Sequence, residues 1–116
     1  MGVFQIRNTV NGKLFVGSTM DLSAVFSGIR FQLYAGAHFN KALEADWMRY
    51  GTGRFEFEIL EELFSREDAN YDYAADLETL ENLWLEKLQP YGERGYNEPK
   101  KTQEERLRII SQNREQ

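Results

Sequence analysis

Two short apolar stretches lie on either side of a turn signal near the start of the chain. Val3, Phe4 and Ile6 precede Asn11-Gly12, and Leu14, Phe15 and Val16 follow it. That dipeptide accepts the positive φ angles of a type I′ turn, so residues 2 to 17 are predicted as a β-hairpin. Gly17-Ser18-Thr19 ends the second strand, and Ser18, Thr19 or Asp21 is placed to cap a helix running to about Tyr34, weakened locally by Gly28. Residues 40 to 50 (NKALEADWMRY) set Leu43 and Trp47 on one face, which predicts a second helix ending at Gly51. In residues 54 to 60, Phe55, Phe57 and Ile59 alternate with Glu56 and Glu58, the period of a strand with one buried face. Residues 65 to 73 are polar and predict a loop. A third helix follows from about Ala74 to Leu88 and stops ahead of Pro90.

The pattern describes an α/β chain of the α+β kind: a small three-stranded antiparallel sheet flanked by three helices, in the order ββααβα. Its 116 residues, 41% of them apolar and 14% aromatic, suffice for one buried core. Residues 1 to 97 form the expected domain. Residues 98 to 116 are a charged tail in which Leu107, Ile109 and Ile110 predict at most a short helix. The absence of cysteine removes disulfides, thiolate metal sites and thiol nucleophiles together. Without a long apolar stretch or a basic, apolar leader at the start, a soluble, cytoplasmic protein with no membrane partner is expected.

Charge complicates any nucleic-acid reading. The formal net charge is −5, whereas phosphate affinity comes from clustered Lys and Arg. The average conceals an asymmetry: residues 1 to 54 carry six basic and three acidic side chains, and residues 55 to 87 carry eleven acidic and two basic ones. A positive front half can face a polyanion while the acidic part faces solvent or gathers a divalent cation. An acidic surface without a partner is the plainer alternative.

The third helix holds the most informative single residue. Leu77, Leu80, Trp84 and Leu88 recur at spacings of three and four, the stripe that packs on the sheet, and Glu81 lies within it. A carboxylate there must be paired, protonated or bound to a cation, because isolation in apolar surroundings is costly. It either reaches water or a basic partner at the stripe's edge, or serves as a functional acid or metal ligand.

Gly2-Val3-Phe4 and Phe15-Val16-Gly17, flanking the Asn-Gly hairpin, resemble the GIY and YIG motifs of GIY-YIG nucleases. The likeness continues through Gly17-Ser18-Thr19, Gly36, His38, Asn40, Leu43, Trp47, Tyr50-Gly51 and residues 55 to 63, then Glu81-Asn82, Trp84, Leu88, Pro90 and Gly95-Tyr96-Asn97. It spans residues 2 to 97. The resemblance implies DNA phosphodiester hydrolysis with one divalent cation, Mg²⁺ or Mn²⁺, held by Glu81. It implies a supporting role for Asn97, and for Gly17 a place where a side chain would crowd the substrate. Three positions depart from the pattern. Phe4 and Phe15 stand where the family usually has tyrosines that contact phosphate or help activate water. Val25 stands where the first helix usually supplies an arginine. The expected activity is therefore weak or lost.

Among the remaining candidates, His38 can serve as base or phosphate donor, with Lys41 and Tyr34 behind it. Arg30 is a poor replacement for the missing arginine, since five residues on from Val25 it is rotated by about 140° around an ideal helix. Trp47 and Leu83-Trp84-Leu85 are assigned to the core. Gly17, Phe4, Phe15, Asn97 and Lys41 are the candidate substrate-binding residues, and three readings stay open: a metal-dependent nuclease using a rearranged set of Glu81, His38 and Arg30; a module that binds nucleic acid without cutting, through the basic residues of the front half; and a protein-interaction domain unrelated to DNA. A homodimer or another protein partner is compatible with each.

Overall fold

Six of the seven residues of the first strand, β1 (Gly2–Asn8), are buried, and that strand occupies the middle of the sheet. In the computed structural model, which describes residues 1–64 and 71–99, β2 (Leu14–Thr19) and β3 (Phe55–Glu62) flank it, both antiparallel. Helices α1 (Val25–Ala35) and α2 (Lys41–Tyr50) come between β2 and β3, and α3 (Tyr73–Leu88) follows. The observed order is the expected ββααβα. Most of the expected 65–73 loop and nearly all of the tail lie outside the described residues.

Alternation along β1 and β2 divides the core into two layers. Phe4, Ile6 and Phe15 pack with Ile29 and Leu33 of α1, Leu43 and Trp47 of α2, Phe55 and Tyr96. On the other face Val3 and Val16 pack with Leu85, edged by Leu60, Leu80, Trp84 and Leu88. Each aliphatic side chain so buried contributes about 1.5–3 kcal/mol relative to exposure. Because β2 is an edge strand, groups arriving from α3 beneath and from α1 and α2 above meet around it.

The helix ends follow side-chain chemistry. The Asn40 side chain accepts the Leu43 N–H at 3.0 Å to start α2, and the Asp72 carboxylate accepts the Ala74 N–H at 3.0 Å to start α3. Gly36, at φ 69°, ends α1 and directs its N–H to the carbonyls of Gln32 and Leu33.

Four expectations need correction. Gly12 has φ 78°, but Asn11 is not left-handed, so the hairpin turn is not type I′. It is a wider loop in which Asn8 donates to the Lys13 carbonyl, the Gly12 N–H returns to Asn8 O, and the Asn11 side chain accepts the Lys13 N–H. The first helix begins later than expected, at Val25, because Asp21 accepts both the N–H and the hydroxyl of Ser23 and holds a separate turn. Ser18 and Thr19 belong to β2 instead of capping that helix. In β3 the pairing shifts between Val3 and Phe4, so the alternation fails there: Ile59 is 52% exposed and Leu60 joins the α3 layer. Finally, Leu83 points outward at 58% exposure, while Leu85 is the residue of that triplet in the core.

Candidate functional site

A cavity of about 880 Å³ opens over the Phe15–Ser18 segment of β2. Phe4, Phe15, Gly17 and Ser18 come to it from the hairpin, Ile29 and Gln32 from α1, His38 to Ala42 from the α1–α2 connection and the start of α2, and Glu81 from α3. Tyr96, Asn97 and Glu98 close the remaining side.

Glu81 reaches the cavity because Leu77 and Leu85, four residues to either side, are buried against the sheet. It is partly buried, and Ser18 donates its hydroxyl to Glu81 Oε2 at 2.7 Å. Oε1 has no other protein partner among the described residues. Ser18 was not singled out for this role, yet alternation places it on the same face of β2 as Val16 and therefore toward α3. Among the described residues no group of three His, Asp or Glu side chains is set to hold a metal. A single carboxylate with one free oxygen nonetheless suits Mg²⁺, which keeps most of its waters and takes one or two protein carboxylates.

Asn97 is fully engaged by the backbone of β2. Its Oδ1 accepts the Val16 N–H at 2.8 Å and its Nδ2 donates to Val16 O at 2.7 Å. One amide thus replaces the missing neighbouring strand at that residue. Tyr96 secures the same segment: its N–H donates to Leu14 O at 2.8 Å, its hydroxyl donates to Asp46 Oδ2 at 2.6 Å, and it accepts from Asn8 Nδ2 at 3.0 Å. Burial, followed by the Asp46 hydrogen bond, pushes its pKa up to about 12. Gly95 permits this approach, since a Cβ there would lie 2.3 Å from Pro90 O and 2.5 Å from Leu14 O.

Gly17 is required by the protein itself, whatever binds nearby. A Cβ would stand 2.8 Å from Cζ of Phe4, whose ring is confined by Phe15 and Phe26 at centroid distances of 6.3 and 5.8 Å. Phe4 and Phe15 line the cavity but are 4% and 5% exposed. They offer it carbon and no hydroxyl.

His38 is 1% exposed. Its Nδ1 accepts the Asn40 N–H at 3.0 Å, and its own backbone N–H donates to Glu44. Burial lowers its pKa below the ordinary 6.5, outweighing the opposing hydrogen bond from Asn40 and the Glu44 charge. The ring is therefore neutral at pH 7, with the proton on Nε2, which makes it a donor and not a base. Every buried side-chain nitrogen and oxygen among the described residues has a partner, so the unengaged Nε2 reaches the cavity.

Arg30, Tyr34 and Val25 are not gathered here. The Arg30 guanidinium lies over the Phe57 ring, 4.2 Å from its centroid, and does not line the cavity. Tyr34 packs edge-on against Trp47. Val25 is partly buried against the α1–α2 layer. Lys41 stands at the rim, exposed, with Nζ 3.4 Å from Glu44. Phe39 and Glu98 also line the cavity, and sequence reasoning did not select them; neither falls on a helical or strand period that would mark it.

The chain is similar over 87 residues, at 31% identity, to intron-associated endonuclease 1 of Enterobacteria phage T4. The match covers 75% of this chain and 32% of the relative, so the chain spans about a third of that protein's length. The catalytic domain of homing endonuclease I-TevI superposes with a TM-score of 0.70 at 29% identity, over 85% of this chain and 98% of that domain. A mutant of the catalytic domain of intron endonuclease I-TevI gives 0.68 at 31% identity, over 87% and 95%. No family model matches the chain.

Proposed function

Since the chain belongs to the GIY-YIG nuclease superfamily, we propose that the cavity beside β2 is a degenerate nuclease centre, acting on DNA phosphodiesters weakly or binding them without cleavage. The observation that carries this reading is Glu81, oriented by Ser18 with one oxygen free, in the same cavity as Gly17 and Asn97. Held at Glu81, a divalent cation would supply charge neutralisation and activation of water. The protein's own contributions are limited. Ser18 fixes the carboxylate, Asn97 fixes the backbone between Phe15 and Gly17, and His38 Nε2–H offers a neutral hydrogen bond to a phosphate oxygen.

The deficits are as specific. Hydrolysis requires a proton to leave the attacking water and negative charge to be stabilised on phosphorus-bound oxygens. Phe4 and Phe15 accept no proton, and loss of a positioned acid or base costs roughly 10²–10⁴ in rate. Val25 carries no charge and Arg30 is committed to Phe57; loss of one electrostatic stabiliser costs on the order of 10²–10³. These factors do not multiply simply, but together they favour slow cleavage or none. Binding without cleavage, of nucleic acid or of a protein, is the second reading, and the apolar replacements at positions 4, 15 and 25 are what favour it.

The test is to restore the missing groups. Phe4→Tyr, Phe15→Tyr and Val25→Arg together should raise cleavage of supercoiled and branched DNA at least tenfold over the parent in Mg²⁺ or Mn²⁺, and Glu81→Ala in that background should abolish it. The Val25 position adjoins the core, so the new side chain must extend its stem along apolar surface, and circular dichroism checks the fold. A folded triple variant that stays inactive, with a parent that binds no DNA, decides for a protein-interaction module.

A further inference from the structure

Phe39 is 76% exposed although it lines the cavity. One face of its ring stacks on His38, with centroids 4.6 Å apart and planes 25° from parallel. His38 is itself buried, pinned by the Asn40 N–H and set edge-on to Phe15 at 5.7 Å. Phe15 also abuts Phe39 directly, at 5.9 Å. The exposed ring is thus a supported plate, backed on one side by a rigid aromatic stack and open on the other. Single exposed apolar residues are common on protein surfaces; one braced in this way at the mouth of a cavity is placed to stack.

Charge narrows what stacks there. Among the described residues, Glu81 and Glu98 line the cavity against Lys41 as the one cation, and Lys41 is shared with Glu44. Arg30, the cation of α1, is turned to Phe57. Phosphate contacts with so few cations supply little affinity. A nucleobase is neutral and planar, so the two carboxylates do not oppose it. Gln32, whose amide carries both donor and acceptor, lines the same cavity and suits a base edge.

We infer that Phe39 is a stacking platform for an unpaired nucleobase, so the substrate class is DNA with unstacked nucleotides, a single strand or a flap, in preference to continuous duplex. Inside a continuous duplex both faces of each base are already covered, and exposing one costs unstacking energy. The inference rests on the nuclease-related reading and adds to it the nucleic-acid structure that the cavity accepts.

Fluorescence anisotropy of the full chain, with Ca²⁺ in place of Mg²⁺ to suppress hydrolysis, tests it on four labelled oligonucleotides: a single strand, a blunt duplex, a flapped duplex, and the same flap built of abasic sites. The single strand and the flap should bind more tightly than the blunt and abasic-flap duplexes. Phe39→Ala should lose about ten- to a hundredfold on the first two, as expected for one stacked base, and change the others little. Phe39→Trp should retain the preference. Equal affinity of the parent for flapped and blunt duplex, or an equal loss on all four with Phe39→Ala, overturns the platform and leaves the nuclease-related reading standing. No binding of the parent to any of them overturns both.

Discussion

His38 is held where it resists protonation. Buried, and with Nδ1 committed to the Asn40 N–H, it has a folded-state pKa below the ordinary 6.5. As pH falls through 6.5 the unfolded chain takes up a proton that the folded chain refuses, so stability falls with pH; once the folded histidine also protonates, its contribution levels off. Urea unfolding between pH 7.5 and 5 should show a falling midpoint. His38→Asn, which keeps an acceptor for the Asn40 N–H, should flatten that slope while lowering stability at pH 7.5. An unchanged slope in the variant would assign the effect to other groups. The same residue explains why function was hard to place in advance. A lone histidine in a sequence does not reveal which nitrogen is free, and here that distinction separates a donor from a base.

At the scale of elements, the segment Gly95–Asn97 acts as a strap across the open edge of β2. Tyr96 ties it to Asp46 in α2 and to Asn8 in β1 through one hydroxyl. Tyr96→Phe leaves the fully buried Asn8 amide without its acceptor, which should cost about 1–3 kcal/mol. That loss is measured by urea denaturation, and the variant also removes the phenol whose pKa burial and Asp46 push up to about 12. Periodicity made the elements legible before the strap was visible. The apolar runs on either side of Asn11-Gly12, the alternation of Phe55 and Phe57 with Glu56 and Glu58, and the Leu43–Trp47 pair led directly to strands and a helix. Where side chains compete locally with the backbone, as Asp21 does, or a register shift intervenes, as at Ile59 and Leu60, pattern alone misleads. The cavity was legible only in part. Glu81 announced itself by standing in an apolar stripe, whereas Ser18, Phe39 and Glu98 belong to the site solely through the way three layers converge on β2.

Across the whole molecule, charge sets how binding responds to salt. Several cations of the positive front half are engaged within the protein: Arg7 with Glu56 and Glu58, Arg49 over Tyr50, and Arg30 over Phe57. Among the described residues, Lys41 is the one cation that lines the cavity. A plot of log affinity for DNA against log salt should therefore be shallow, with a slope of about −1 to −2, since each neutralised phosphate contributes roughly −0.7 to −0.9. A much steeper slope would show that those arginines leave their partners to contact the backbone of the nucleic acid. The strap carries a further consequence, one of timing. Residues 4 to 18 emerge from the ribosome early, but the amide that completes the edge of β2 arrives only with Asn97, after α3 has supplied Glu81. Joining positions so distant in sequence carries a loop-closure cost that slows folding, so the edge of β2 is completed only once Asn97 has been synthesised and folded back onto Val16.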